Sequence, residues 1–130
     1  MRIAKNIKNV TDIIPNNVKL VAVSKTKSIN LIESASNAGQ RDFGENKVQE
    51  LVDKFENLPK DINWHMIGHL QRNKVKYIAP FIYLIQSVDS LRLLIEINKQ
   101  GIKNNRVINV LVQMDISNDE TKFGFGYHEF

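Results

Sequence analysis

Lys25 is the residue of this sequence best suited to covalent chemistry. It ends an apolar, β-branched run, Val18-Lys19-Leu20-Val21-Ala22-Val23, and lies between two hydroxyl residues, Ser24 and Thr26. The run has the character of a strand buried on both faces of a parallel sheet. A strand that stops at a lysine holds an amine at the mouth of a core. Desolvation there weakens the preference for the charged form, and the neutral amine is a nucleophile toward aldehydes. The bland alternative is a solvated loop lysine. Lys27 shares the parity of Lys25, so alternation does not choose between them; Lys25 follows the strand directly and is the better held.

Other polar residues gather where later strand signals end. Gly44, Glu45 and Asn46 follow the second. His65, Gly68, His69, Gln71 and Asn73 lie in or just past the third, and Ser87 and Asp89 close the fourth. Strand ends of this kind carry the functional groups of parallel α/β proteins. Together they offer an amine, amides, hydroxyls and imidazoles to a polar ligand. Each has a structural reading. Gly44 is equally a turn glycine, Glu45 a complement to a helix dipole, and Asn46 and Asp89 helix caps. Trp64 reads as core, and Arg72, Lys74 and Lys76 as a solvated face. His65 and His69 lack an evident third metal ligand, so no metal is expected.

The elements that position these groups follow from periodicity. Ile3, Ile7, Val10 and Ile14 mark a helix over residues 2–14, ended by Pro15-Asn16-Asn17. After the Lys25 strand, Ser28 caps a helix that stops at Gly39. Residues 41–44 form a weak strand. Val48, Leu51, Val52 and Phe55 share a helix face, and 62–68 reads as the third strand. A helix over 70–79 ends at Pro80. Residues 81–88 are the fourth strand, and Asp89 or Ser90 caps a helix ending near Gly101. Residues 107–116 are the fifth strand, before a polar stretch and Lys122-Phe123-Gly124-Phe125-Gly126. Strands alternating with helices build a parallel sheet. The sheet is either open and doubly wound or part of a closed barrel, and periodicity does not decide. A closed eight-stranded barrel takes about 250 residues, so 130 residues suit a single domain over 1–130 with an open sheet or the first part of a barrel.

Composition narrows the function. Hydrophobic residues are 42% and charged residues 25% of the chain, ordinary for a globular domain. The net charge of +4 comes from scattered lysines, so nucleic acid is not an expected partner. There is no cysteine, which removes disulfides, thiol catalysis and thiolate metal sites. No apolar run is long enough to span a bilayer and no signal-peptide pattern opens the chain, so a cytoplasmic location is expected. Gly-x-Gly-x-x-Gly, Walker-type and Gly-x-Ser-x-Gly motifs are absent.

Three stretches together resemble a known family. They are Val21-Ala22-Val23-Ser24-Lys25-Thr26-Lys27, Phe43-Gly44-Glu45-Asn46 with Val48-Gln49-Glu50, and Trp64-His65-Met66-Ile67-Gly68-His69-Leu70-Gln71 with Asn73-Lys74. They resemble the pyridoxal phosphate homeostasis proteins, the YggS or proline-synthetase co-transcribed type. Ser87-Val88-Asp89 and Val110 to Lys122 are also similar. The resemblance implies a TIM-type (β/α) barrel like the amino-terminal domain of alanine racemase, here partial, with about five parallel strands. It implies that Lys25 carries pyridoxal 5'-phosphate as a Schiff base, with Asn46 near the cofactor. His65, Gly68 and Ser87 complete the expected cofactor-binding set.

The resemblance further implies intracellular pyridoxal phosphate homeostasis without robust catalysis, and delivery to pyridoxal-phosphate-dependent apo-enzymes. The alternatives are a racemase-like enzyme, which needs a second acid/base for which His65 is the candidate, and an inactive fragment. The family's later Ser-x-Gly-Met-Ser-x-Asp and Arg-x-Gly-x-x-Ile-Phe-Gly motifs are absent here. In the family they supply phosphate-binding groups and the arginine facing the pyridine nitrogen. The chain is therefore expected to be truncated, with an open barrel edge prone to self-association.

Overall fold

The structure is a computed structural model and describes residues 2–116. Helix α1 spans Arg2–Ile13, strand β1 Ala22–Val23, α2 Ile29–Asn37, β2 Asp42–Glu45 and α3 Val48–Asn57. Strand β3 spans Asn63–Met66, a 3-10 turn Arg72–Lys74 leads into α4 Val75–Ile78, and β4 spans Leu84–Val88. Helix α5 covers Leu91–Lys103 and β5 Asn109–Val112. Lys122-Phe123-Gly124-Phe125-Gly126 lies outside the described residues.

Every strand pairs in parallel with the next, in the order β1-β2-β3-β4-β5. This resolves the alternative that periodicity left open. A doubly wound sheet reverses its strand order partway and so places helices on both faces. A sheet that always steps to the next strand, through right-handed crossovers, keeps its helices on one side. That is the arrangement of a (β/α) barrel wall, open here between β1 and β5 among the described residues.

Strand side chains alternate between two layers. Phe43, Trp64, Met66 and Ile85 face the helices and pack with Ile32, Leu51, Val75, Ile78, Leu93 and Ile97, all nearly inaccessible to water. Trp64 is core, as its sequence context predicts. The opposite face is lined by Val23, Gly44, His65, Leu84 and Asn109 at paired register positions. It is more polar and more open.

Two expectations change. The Val18–Val23 run is not buried on both faces: only Ala22 and Val23 are strand, and Val23 is 55% exposed. Position β1 at the sheet edge, facing the concave side, leaves Val23 without covering side chains. The long helix expected over 70–79 is a 3-10 turn followed by one α-helical turn. Exposed Arg72, Asn73 and Lys74 contribute nothing to the core there, and only Val75, Ile78 and Ala79 are anchored.

Candidate functional site

The carboxyl ends of the strands form one rim, and four of the five expected site residues stand on it. Lys25 lies two residues past β1, Asn46 directly past β2, Gly68 two residues past β3, and Ser87 in the last turn of β4. Ser87 Oγ donates to the Gly68 carbonyl at 2.5 Å. A Cβ built on Gly68 would lie 2.5 Å from the Asn46 carbonyl oxygen and 2.8 Å from its Cα. The β2 and β3 loops therefore touch, backbone to backbone, and Asn46, Gly68 and Ser87 form one contiguous surface. Lys25 stands apart from that surface, on the neighbouring β1 loop.

The Lys25 loop is a tight turn. Lys27 N–H donates to the Ser24 carbonyl at 3.0 Å, which leaves Lys25 and Thr26 as its central residues. Thr26 has φ +63°. A β-branched residue in this left-handed region costs on the order of 1 kcal/mol and needs local support. Support comes from α3, where the Glu50 carboxylate accepts the Thr26 N–H at 2.7 Å. The Lys54 ammonium donates to the Ser24 carbonyl at 2.8 Å, to Glu45 at 2.9 Å and to Glu50 at 2.7 Å. Ser24 Oγ donates in turn to Glu45 Oε2 and lies 3.2 Å from the Gly44 carbonyl.

Here the expectation of a desolvated Lys25 is corrected. Lys25 is exposed, because the concave face beside it is uncovered, and the buried lysine is Lys54, only 5% exposed. Lys54 was legible in principle. Leu51, Lys54 and Leu58 follow the i, i+3, i+7 stripe of a core-facing helix, and all three are buried. Glu50 four residues before Lys54 completes the signal. Glu45 is fully buried with them. Burial pushes its carboxyl above the ordinary range, opposed by hydrogen bonds from Ser24 and Lys54. Its second oxygen has no partner among the described residues. Glu50 is held below the ordinary range, first by the Lys54 hydrogen bond. Glu45 is thus a buried network member rather than a helix-dipole partner.

His65, the fifth expected residue, is not on the rim. It is buried within β3 on the concave face. Its Nε2 lies 2.9 Å from Asp42 and its Nδ1 3.0 Å from the Gln86 amide nitrogen. A carboxylate only accepts and an amide nitrogen only donates, so Nε2 carries the proton and Nδ1 accepts. Lys19 reaches the same Asp42 carboxylate at 3.3 Å. His69 pairs with Asp89 at 2.8 Å, and Ser90 rather than Asp89 caps α5. No group of three or more metal-ligating side chains occurs among the described residues.

The rim thus presents an exposed primary amine on the β1 loop and, on the neighbouring surface, the Asn46 carboxamide and loop backbone, while the Ser87 hydroxyl is buried and donated to the Gly68 carbonyl. The chemistry of this set suits an aldehyde with polar substituents, for which an amine is the nucleophile and a carboxamide and backbone N–H groups are neutral donors.

A wall of consecutive parallel strands, with helices on one side and polar groups at the carboxyl rim, defines part of a (β/α) barrel domain. The chain belongs to the alanine racemase N-terminal domain family, whose model matches residues 1–130. It is 46% identical over 112 residues to the pyridoxal phosphate homeostasis protein of Haemophilus influenzae, covering 84% of this chain and 47% of that protein. With the protein of the same name from Aquifex aeolicus it shares 44% over 110 residues, covering 84% and 48%. PipY of Synechococcus elongatus, solved with pyridoxal phosphate bound, superposes with a TM-score of 0.86 at 34% identity, over 95% of this chain and 57% of that one. Alanine racemase of E. faecalis shares the fold alone, with a TM-score of 0.75 at 16% identity. The chain spans about half the length of the curated relatives it matches.

Proposed function

We propose that the protein binds pyridoxal 5'-phosphate covalently at Lys25 and serves its intracellular homeostasis, without robust catalysis of its own. The observation that carries this reading is the exposed Lys25 amine at the carboxyl end of β1. It lies in a chain that aligns with relatives named for pyridoxal phosphate homeostasis and with a solved relative that holds the cofactor. Bound pyridoxal phosphate supplies an electrophilic aldehyde. Lys25 Nζ would hold the group through that aldehyde carbon, with water as the leaving product. Asn46 and Gly68 line the adjoining rim and would orient the ring substituents, with Ser87 holding the Gly68 loop from beneath. His65 sits below, where it shapes the floor of the site.

The absence of robust turnover is supported by His65. Both of its ring nitrogens are engaged, by Asp42 and Gln86, so it has no free position from which to shuttle a substrate proton. Cytoplasmic location, transfer to pyridoxal-phosphate-dependent apo-enzymes and self-association through the open edge belong to the same reading. No helix among the described residues is long and apolar enough to cross a membrane.

The test is spectroscopic. Adding pyridoxal phosphate to the chain should produce the absorbance of a lysine adduct. Borohydride reduction followed by peptide mass mapping should place the label on Lys25, and Lys25→Ala should abolish it while Lys27→Ala retains it. Label on Lys27, or absorbance unchanged in Lys25→Ala, removes the assignment. No adduct on the unmodified chain supports an inert fragment. Racemisation of alanine by the loaded chain would favour the enzyme.

A further inference from the structure

The network beneath the Lys25 turn points to a role that the covalent reading alone does not assign. Two peptide units flank Lys25, Ser24–Lys25 and Lys25–Thr26. The carbonyl of the first accepts from Lys54, and the N–H of the second donates to Glu50. Lys54 and Glu50 are joined to each other at 2.7 Å, one helical turn apart on α3. Lys54 is tied as well to buried Glu45 at the end of β2. Both peptide planes at Lys25 are thus fixed from one neighbouring helix, and the turn so fixed contains the positive-φ Thr26.

We propose that Glu50 and Lys54 are positioning residues. They clamp the Ser24–Lys27 turn so that the Lys25 side chain leaves it in one direction, toward the concave face. The inference rests on Lys25 as the attachment point and deepens that reading. Charge suits the role: the second ammonium close to the turn is balanced by the Glu50 carboxylate, so it orders the loop without leaving a net positive charge beneath the reacting amine. A flexible lysine side chain carries much rotational freedom. Fixing its backbone removes part of the entropy that would otherwise oppose adduct formation.

Glu50 is the residue to vary, since it is half-buried at the helix surface and its loss spares the core. Glu50→Ala should accelerate amide hydrogen exchange at Thr26 about tenfold in the chain without cofactor. It should also weaken apparent pyridoxal phosphate affinity about tenfold. Glu50→Gln keeps a side-chain carbonyl for the Thr26 N–H and should recover most of both. Glu56→Ala, an exposed change on the same helix, should alter neither. Unchanged Thr26 exchange in Glu50→Ala overturns the clamp. Faster exchange with unchanged affinity overturns the link between clamp and amine. If the unmodified chain forms no adduct, the pyridoxal phosphate reading fails by itself, and exchange at Thr26 still decides whether the clamp exists.

Discussion

At the scale of single residues, two carboxylates on one ammonium respond to acid in opposite directions. Glu50 has its pKa lowered below the ordinary 4.5, so the folded state binds its proton more weakly than the unfolded chain does. Its contribution to stability is complete above 4.5 and is lost as pH falls through the lowered folded value. Glu45 has its pKa raised above 4.5. It favours the fold only in its protonated form, a contribution present below 4.5 and lost as pH rises through the raised value. Glu50→Gln should therefore lower the melting temperature most near neutral pH, with the gap to the parent chain closing as pH falls below 4.5. Melts recorded across that range check this; a gap that widens in acid would contradict the assignment of Glu50 as the ionised partner of Lys54. The buried Lys54 carried a sequence signature, a lysine on an apolar stripe. Of its three oxygen partners only Glu50 shared that signature; Ser24 and Glu45 did not, because both lie outside its helix.

At the scale of elements, the close approach of the β2 and β3 loops makes a prediction about glycine. Gly68 faces the Asn46 backbone, which cannot retreat without moving the start of α3. A Cβ built on Gly44 would lie 2.9 Å from Ile67 Cδ1, the end of a side chain that can rotate away. Gly68→Ala should cost about 2 kcal/mol and Gly44→Ala less than about 1 kcal/mol, measured by denaturant unfolding. Equal costs would mean that the loop contact is not tight. The helices α1, α2, α3 and α5 were legible because their apolar spacing repeats over two or more turns. The capping serines Ser28 and Ser90 were legible too, each accepting an N–H three residues on. The 70–79 segment was misread because its apolar residues are too few to distinguish a 3-10 turn from a helix. The lengths of β1 and β5 were overestimated because an apolar run reports hydrophobicity, whereas strand extent depends on a paired neighbour.

At the scale of the whole molecule, the wall is open between β1 and β5 among the described residues. Along β5, Leu111 is 52% and Val112 41% exposed, and an unpaired apolar strand is a template for another chain. The 130-residue chain on its own should therefore self-associate. Size-exclusion chromatography should show species larger than a monomer, and a charged substitution such as Leu111→Lys should shift them toward monomer. A sharp monomer peak from the parent chain would show that the edge is covered. The sequence by itself determined the alternation of strands and helices, the rim on which Asn46, Gly68 and Ser87 gather, and Lys25 as the amine at the end of the first strand. These depend on local periodicity and on where apolar runs stop. Only the tertiary structure decided that the strands follow one another in order, that Lys25 is exposed while Lys54 is buried, and that His65 is tied between Asp42 and Gln86. Each of these depends on which strands become neighbours, and that is settled by packing between residues far apart in the chain.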